Sequence, residues 1–200
     1  MPWLKRLFDL IAASLALIVL SPLFLLIAIL IWLLMGPPVL FSQLRPGFRG
    51  KPFRIHKFRT MRVARDAGGS PSSDSMRLTP LGRLLRSFSL DELPELVNIW
   101  RGEMRVVGPR PLLMEYLPLY SPEQMRRHDV PPGLTGWAQV NGRNALDWPS
   151  RFALDIWYVD HWSFWLDLKI IALTIWKVVA RQGINQPGQA TTEYFTGNEG

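Results

Sequence analysis

Cysteine is absent, which excludes disulfides, zinc thiolate sites and iron–sulfur clusters. Histidine is scarce, and His56, His128 and His161 are so far apart in sequence that a histidine-rich metal site is not expected. Acid is in short supply as well: 16 Asp plus Glu face 23 Lys plus Arg, giving a formal charge of +7 and a pI near 10.2. With 48% hydrophobic and only 20% charged residues, the 200-residue chain is not intrinsically disordered and has room for one domain of ordinary size. The basic balance calls for an anionic partner, whether nucleic acid, lipid headgroup or phosphorylated substrate.

Charge of either sign is missing from Leu10 to Leu44, and Leu7 to Met35 is dense in Leu, Ile, Ala and Phe. A helix apolar on every side does not hide readily in a domain of this size, so the stretch reads as a membrane segment. A cleaved signal peptide fits poorly, because Ala12-Ala13-Ser14, the one small-residue cluster, lies inside the run. Ser21-Pro22 sits at the midpoint. Proline there removes a donor and crowds the Ile18 carbonyl, so a kink is expected, with the Ser21 hydroxyl placed to recapture the freed carbonyl. Each half is about 21 Å long, short of a hydrocarbon core of about 30 Å. Lys5 and Arg6 precede the segment, and eight basic residues from Arg45 to Arg65 follow it with no acid between. Basic flanks at both ends favour a re-entrant helix-break-helix over a kinked span.

Gly36-Pro37-Pro38 ends the helix. Residues 39–44 and 52–58 read as a β-hairpin around Arg45-Pro46-Gly47 and Gly50. Residues 66–80 read as a mobile loop, and Leu81 to Phe88 as a basic helix. In Ser89-Leu-Asp91-Glu92-Leu-Pro94, either Ser89 with Glu92 forms a capping box or Asp91 is the cap; both place Asp91 and Glu92 at a helix N-terminus. Ser121-Pro-Glu-Gln124 opens another helix. Val107-Gly-Pro-Arg110-Pro111 is a rigid turn, and the Gly-rich stretch from Thr135 to Asn144 a loop with a short strand. Residues 152–181 form a helical region, and five of the nine tryptophans fall between 148 and 176, as in an amphipathic helix at headgroup level.

Asp91-Glu92 is the only acidic pair in a basic neighbourhood. A helix N-terminus would keep Asp91 ionised and attract phosphate. Arginines such as Arg83 and Arg86 would neutralise a phosphate that the carboxylate attacks. Adjacent helical residues diverge by about 100°, so the two acids have different jobs. Lys57, Arg59, Arg110 and Arg143 are anion-holding candidates, the last two fixed by neighbouring Pro and Gly. The residues alone describe a membrane-bound protein handling a phosphorylated ligand. The rival is a membrane-tethered basic module that binds nucleic acid or anionic lipid without catalysis.

Taken in order, several motifs resemble the bacterial sugar transferase family, the monotopic polyprenyl-phosphate phosphoglycosyl transferases. They are Ser21-Pro22, Phe41-Ser-Gln-Leu-Arg45-Pro-Gly47, Lys57-Phe-Arg-Thr-Met61, Ser89-Leu-Asp91-Glu92-Leu-Pro-Glu-Leu, Asn98, Gly102-Glu-Met104, Val107-Gly-Pro-Arg-Pro111 and Pro132-Gly-Leu-Thr-Gly-Trp-Ala-Gln-Val-Asn-Gly-Arg-Asn144. The length is similar to that of the small single-domain members, including those using UDP-N,N'-diacetylbacillosamine. The resemblance implies a mainly α fold with a small β-hairpin. Residues 1–36 would be a re-entrant membrane helix broken at Ser21-Pro22, 37–181 a catalytic domain at the membrane surface with amphipathic interfacial helices, and 182–200 a polar tail. It implies transfer of a sugar 1-phosphate from a UDP-sugar, diacetylbacillosamine or a related N-acetylated sugar, to undecaprenyl phosphate, releasing UMP. The route is ping-pong through an aspartyl–phosphosugar on Asp91, with Glu92 accepting a proton or, with Asp91, holding Mg²⁺. Lys57, Arg59, Arg86, Arg110, Gln139, Asn141 and Arg143 would bind substrate. The implied location is the cytoplasmic face of the bacterial inner membrane. Membrane lipids would be partners and nucleic acid would not; self-association or contact with downstream glycosyltransferases would be compatible.

Overall fold

The computed structural model describes residues 3–62, 77–142, 146–180 and 194–198. Arg143 and most of the expected loop at 66–80 lie outside these. The described chain is mainly helical, with two small sheets.

Helix α1 (Trp3–Val19) and helix α2 (Ser21–Met35) meet at a bend of 60°. The cause is the one the sequence supplies: Pro22 interrupts the ladder, and the Ser21 hydroxyl donates to the Ile18 carbonyl at 2.8 Å. Among the described residues no single helix is long and apolar enough to cross a membrane. The pair is not a separate unit, for Ala13 packs with Phe53, Ile55, Leu96, Ile99 and Met104, and Ile27 and Ile31 with Phe58 and Leu85. The outer faces stay bare, including Trp3, Leu7, Ile11, Ile18, Leu25, Trp32 and Leu33.

Lys5 and Arg6 do more than flank the apolar segment. Lys5 is 2% exposed; its ammonium donates to the Val107 carbonyl at 3.1 Å and the Tyr158 hydroxyl at 3.3 Å and pairs with Asp167. Arg6 donates to the carbonyls of Ile99 and Trp100 at 2.6 and 2.7 Å. Asp9 accepts from the Val106 amide at 3.2 Å. A buried charge persists only where opposite charge and hydrogen bonds satisfy it, and packing supplies both here.

Strands β1 (Leu40–Pro46) and β2 (Pro52–Phe58) form the expected antiparallel hairpin. Helix α3 (Pro80–Ser87) is capped by Thr79, whose hydroxyl accepts from the Gly82 amide at 2.9 Å. Gly82 lies so close to Thr60 that an added Cβ would come within 2.0 Å of its carbonyl oxygen. Helix α4 (Glu95–Arg101) then leads into β3 (Arg105–Val107), which pairs in parallel with β4 (Gly133–Thr135). A Cβ on Gly133 would sit 2.0 Å from the Gly108 amide nitrogen, so the two strands meet where no side chain fits. The sequence predicts a short strand within residues 135–144; the strand instead ends at Thr135, and residues 137–140 turn helical.

Helix α5 (Pro122–Met125) carries the expected capping box of Ser121 and Gln124. After α6 (Trp137–Val140), the final helical region is two helices, α7 (Trp148–Asp160) and α8 (Phe164–Val179). Ser163 caps a new N-terminus inside the expected 152–181 region and so divides it, while Asp147 caps the start of α7 ahead of that region. The described part of the tail is docked: Phe195 is buried against Tyr116, Trp148 and Phe152, and Asn198 bonds Gln124. The polarity of the tail hid this aromatic anchor.

Candidate active site

Asp91 and Glu92 lie on a 3-10 turn (Leu90–Glu92) ahead of α4, not at the N-terminus of a continuous helix. Ser89 is left-handed at φ 56° and makes no side-chain cap, so neither the Ser89–Glu92 box nor an Asp91 cap forms. The tight turn presents the acids to the hairpin and to the Pro109–Arg110–Pro111 turn. Burial and neighbouring charges, rather than a helix terminus, govern their charge.

Glu92 is clamped. Lys57 Nζ, at the end of β2, lies 2.7 Å from its Oε1. Arg110 Nη1 donates to Oε2 at 3.2 Å while Nη2 pairs with Oε1. Burial opposes ionisation, but Arg110 and Lys57 hold the Glu92 carboxyl well below the usual range. The same ion pairs raise the Arg110 guanidinium and, against burial, the Lys57 amine. A bidentate carboxylate–guanidinium pair is among the stronger protein contacts, so Glu92 is a fixed anchor.

Asp91 is different, as the divergence of adjacent residues implies. It is largely buried, and its carboxylate accepts no hydrogen bond among the described residues. Burial and then the Glu92 charge raise its pKa, against Lys57, Arg86 and Arg110. It is therefore a poorly solvated, unclamped carboxylate beside three cations, the condition of a usable oxygen nucleophile.

Glu95 was absent from the sequence-based site. It is 1% exposed, its Oε1 lies 3.1 Å from Lys57 Nζ, and burial pushes its pKa up to about 7. The available signal was its place one helical turn after Glu92. Asn98, fully buried, ties the turn to the hairpin by donating to the Arg54 carbonyl at 2.8 Å and to Glu103 at 2.7 Å. Arg127, also buried, pairs with Asp155 at 2.6 Å and donates to the Arg110 carbonyl at 2.7 Å, fixing the turn that carries Arg110. His128 donates from Nδ1 to the Gly47 carbonyl at 3.1 Å; burial and Arg127 lower its pKa to about 4 and keep it neutral.

The fold thus brings Lys57, Asp91, Glu92 and Arg110 together, with Arg86 acting on Asp91 from α3 while its Nε donates to the Thr60 hydroxyl at 3.1 Å. Arg59 is used otherwise. Its guanidinium holds the Met35, Gly36 and Pro37 carbonyls at the end of α2, so it is a helix cap and not part of this cluster. Gln139 donates to the Leu134 carbonyl at 2.9 Å and Asn141 to the Trp137 carbonyl at 2.8 Å; neither bonds to the acidic turn.

The family model described as bacterial sugar transferase matches residues 1–181. The chain belongs to the bacterial sugar transferase family. Among its relatives, "Uncharacterized sugar transferase EpsL" of Bacillus subtilis (strain 168) is 55% identical over 98% of this sugar transferase and 96% of its own length. "Exopolysaccharide production protein ExoY" of Rhizobium meliloti (strain 1021) is 41% identical over 90% and 87%. "UDP-glucose:undecaprenyl-phosphate glucose-1-phosphate transferase" of Escherichia coli (strain K12) is 40% identical over 87% of this chain, which spans 40% of that longer protein.

Proposed function

We propose that this sugar transferase is a phosphoglycosyl transferase that moves a sugar 1-phosphate from a UDP-sugar to undecaprenyl phosphate. The observation that carries the reading is the division of labour in the acidic pair, Glu92 clamped by Lys57 and Arg110 beside an unclamped Asp91. An Asp91 oxygen attacks the sugar-bearing phosphorus; the bond to the bridging oxygen breaks, and UMP leaves with that oxygen. An oxygen of the lipid phosphate then attacks the same phosphorus, the Asp91–phosphorus bond breaks, and a lipid diphosphate sugar is released. Arg110, Lys57 and Arg86 surround the charge that develops on the phosphoryl oxygens. Glu92 orients Arg110 and Lys57.

Mg²⁺ ordinarily sits on one or two carboxylates plus substrate phosphates. Among the described residues no three acidic or histidine side chains are arranged to hold a metal ion, and both Glu92 oxygens face cations. Asp91 with the donor's own phosphates fits such an ion, which would supply charge neutralisation there.

The membrane association follows from the bare apolar faces of α1 and α2 and from Trp165, Ile175 and Trp176 on α8. Both ends of the α1–α2 pair are tied to one globular body, by Lys5 and Arg6 at the start and by Arg59 at the end. That supports re-entry over a span, whose ends would be separated by the bilayer.

UMP release with Mg²⁺, with and without undecaprenyl phosphate, tests the reading. The donor panel includes UDP-glucose, the sugar in the longer relative's name, and UDP-N,N'-diacetylbacillosamine, an N-acetylated alternative. A single-turnover burst of UMP without lipid and sustained release with it are expected. Asp91→Asn is expected to abolish both while the protein stays in the membrane fraction. Full turnover by Asp91→Asn would refute the covalent route.

A further inference from the structure

A second cation lies on the same face of the hairpin as Lys57. In the β1–β2 register Arg45 stands opposite Phe53, Gln43 opposite Ile55 and Phe41 opposite Lys57. Directly opposed residues of an antiparallel pair project from one face, and residues two apart along a strand do too. Arg45, Gln43 and Lys57 therefore share the face on which Phe53 and Ile55 are buried. Lys57 ends at Glu92 and Glu95.

Arg45 is held from one side only. Its Nη2 donates to Gln43 Oε1 at 2.8 Å, while its Nε–H is buried and has no partner among the described residues. A buried donor without an acceptor is costly unless something fills the place. Glu92 does not, because Lys57 and Arg110 occupy its oxygens. Burial and the nearby Arg110 lower the Arg45 pKa, with Glu95 and Glu92 opposing, which places all of them within electrostatic reach.

We propose that Arg45 is a further substrate-binding residue, whose guanidinium, steadied by Gln43, receives a phosphate group beside Arg110. The proposal rests on the phosphoglycosyl transferase reading, in which two phosphate-bearing substrates visit one site. A donor diphosphate and a lipid phosphate offer the same oxygens to a planar fork. Kinetics separates them.

The test uses the full chain in detergent, with UDP-glucose or the fastest donor of the panel and with undecaprenyl phosphate, each varied in turn. Arg45→Gln is expected to raise the KM for one substrate about tenfold, the loss of one charge-assisted hydrogen bond, with the other KM within about twofold. Arg45→Lys, which restores charge without the fork, recovers part of this. Gln43→Ala raises the same KM by less. A rise for the UDP-sugar assigns the site to the diphosphate, and a rise for undecaprenyl phosphate assigns it to the lipid. Two unchanged KM values, with or without a loss of kcat, overturn the proposal.

The thermal shift given by inorganic pyrophosphate separates this result from the parent reading. If the wild type turns over no donor, the transfer reading fails; a pyrophosphate shift lost in Arg45→Gln still supports Arg45 as the anion holder. No shift in the wild type, or equal shifts in both, overturns it. Should Arg45→Gln fail to fold, Arg45→Lys and Gln43→Ala make the same comparisons.

Discussion

Lys5→Met tests how the N-terminal helix is held. The Lys5 ammonium serves the Val107 carbonyl, the Tyr158 hydroxyl and the Asp167 carboxylate, all away from water. Methionine keeps most of the volume and removes the charge. Asp167, itself 2% exposed, would be left ionised with Tyr158 at 2.7 Å and Trp162 at 3.0 Å as its side-chain donors. Breaking one side of a buried pair costs about 3–5 kcal/mol, and the two surviving donors put the expected loss at the lower end, about 3 kcal/mol. At this chain length each kcal/mol moves Tm about 2–4 °C, so a fall of about 6–12 °C is expected. Thermal unfolding in detergent, followed by tryptophan fluorescence, measures it. Lys51→Met, at an exposed position, serves as the control and is expected within about 0.5 kcal/mol of the wild type. Removing both charges, Lys5→Met with Asp167→Asn, is expected to recover most of the loss. A Lys5→Met fall below about 2 °C, or a double variant no better than the single one, would refute the buried-pair account.

Arg59→Gln is expected to lower stability by about 2 kcal/mol, because the last carbonyls of α2 lose their charged donor, with both KM values unchanged. A rise in KM would return Arg59 to the substrate-binding set. Glu95→Gln addresses pH. Burial raises the Glu95 pKa from 4.5 to about 7, so the folded protein binds the proton more tightly than the unfolded chain. Its contribution is fully present below 4.5 and lost as pH rises through about 7. The wild type is therefore expected to lose stability relative to Glu95→Gln over that interval and to run parallel above it. Parallel Tm curves throughout would show that Glu95 titrates normally.

Much of the molecule was legible along the chain because its causes are local. Proline's missing donor and the Ser21 hydroxyl decide the bend at Ile18 whatever surrounds them. Alternation and turn residues decide the hairpin, and Ser121 and Thr79 cap their helices from within a few residues. Asp91, Glu92, Lys57 and Arg110 could be nominated because acids are rare and prolines rigidify the Arg110 turn. The remainder depended on which distant groups come to share a dry space. Lys5 and Asp167 are separated by nearly the whole chain, and Lys5 reads as a flanking charge until α8 packs on α1. Arg59 belongs to a basic run yet caps α2, because β2 delivers it to those carbonyls. Ser89 and Glu92 have capping-box spacing, but the left-handed Ser89 and Pro94 divert the backbone into a tight turn. The sequence by itself determined the bent apolar helix, the hairpin and the residue types of the site. Tertiary structure alone decided that Glu92 is clamped while Asp91 is not, because burial and opposing charge act through space and depend on contacts that sequence separation does not record.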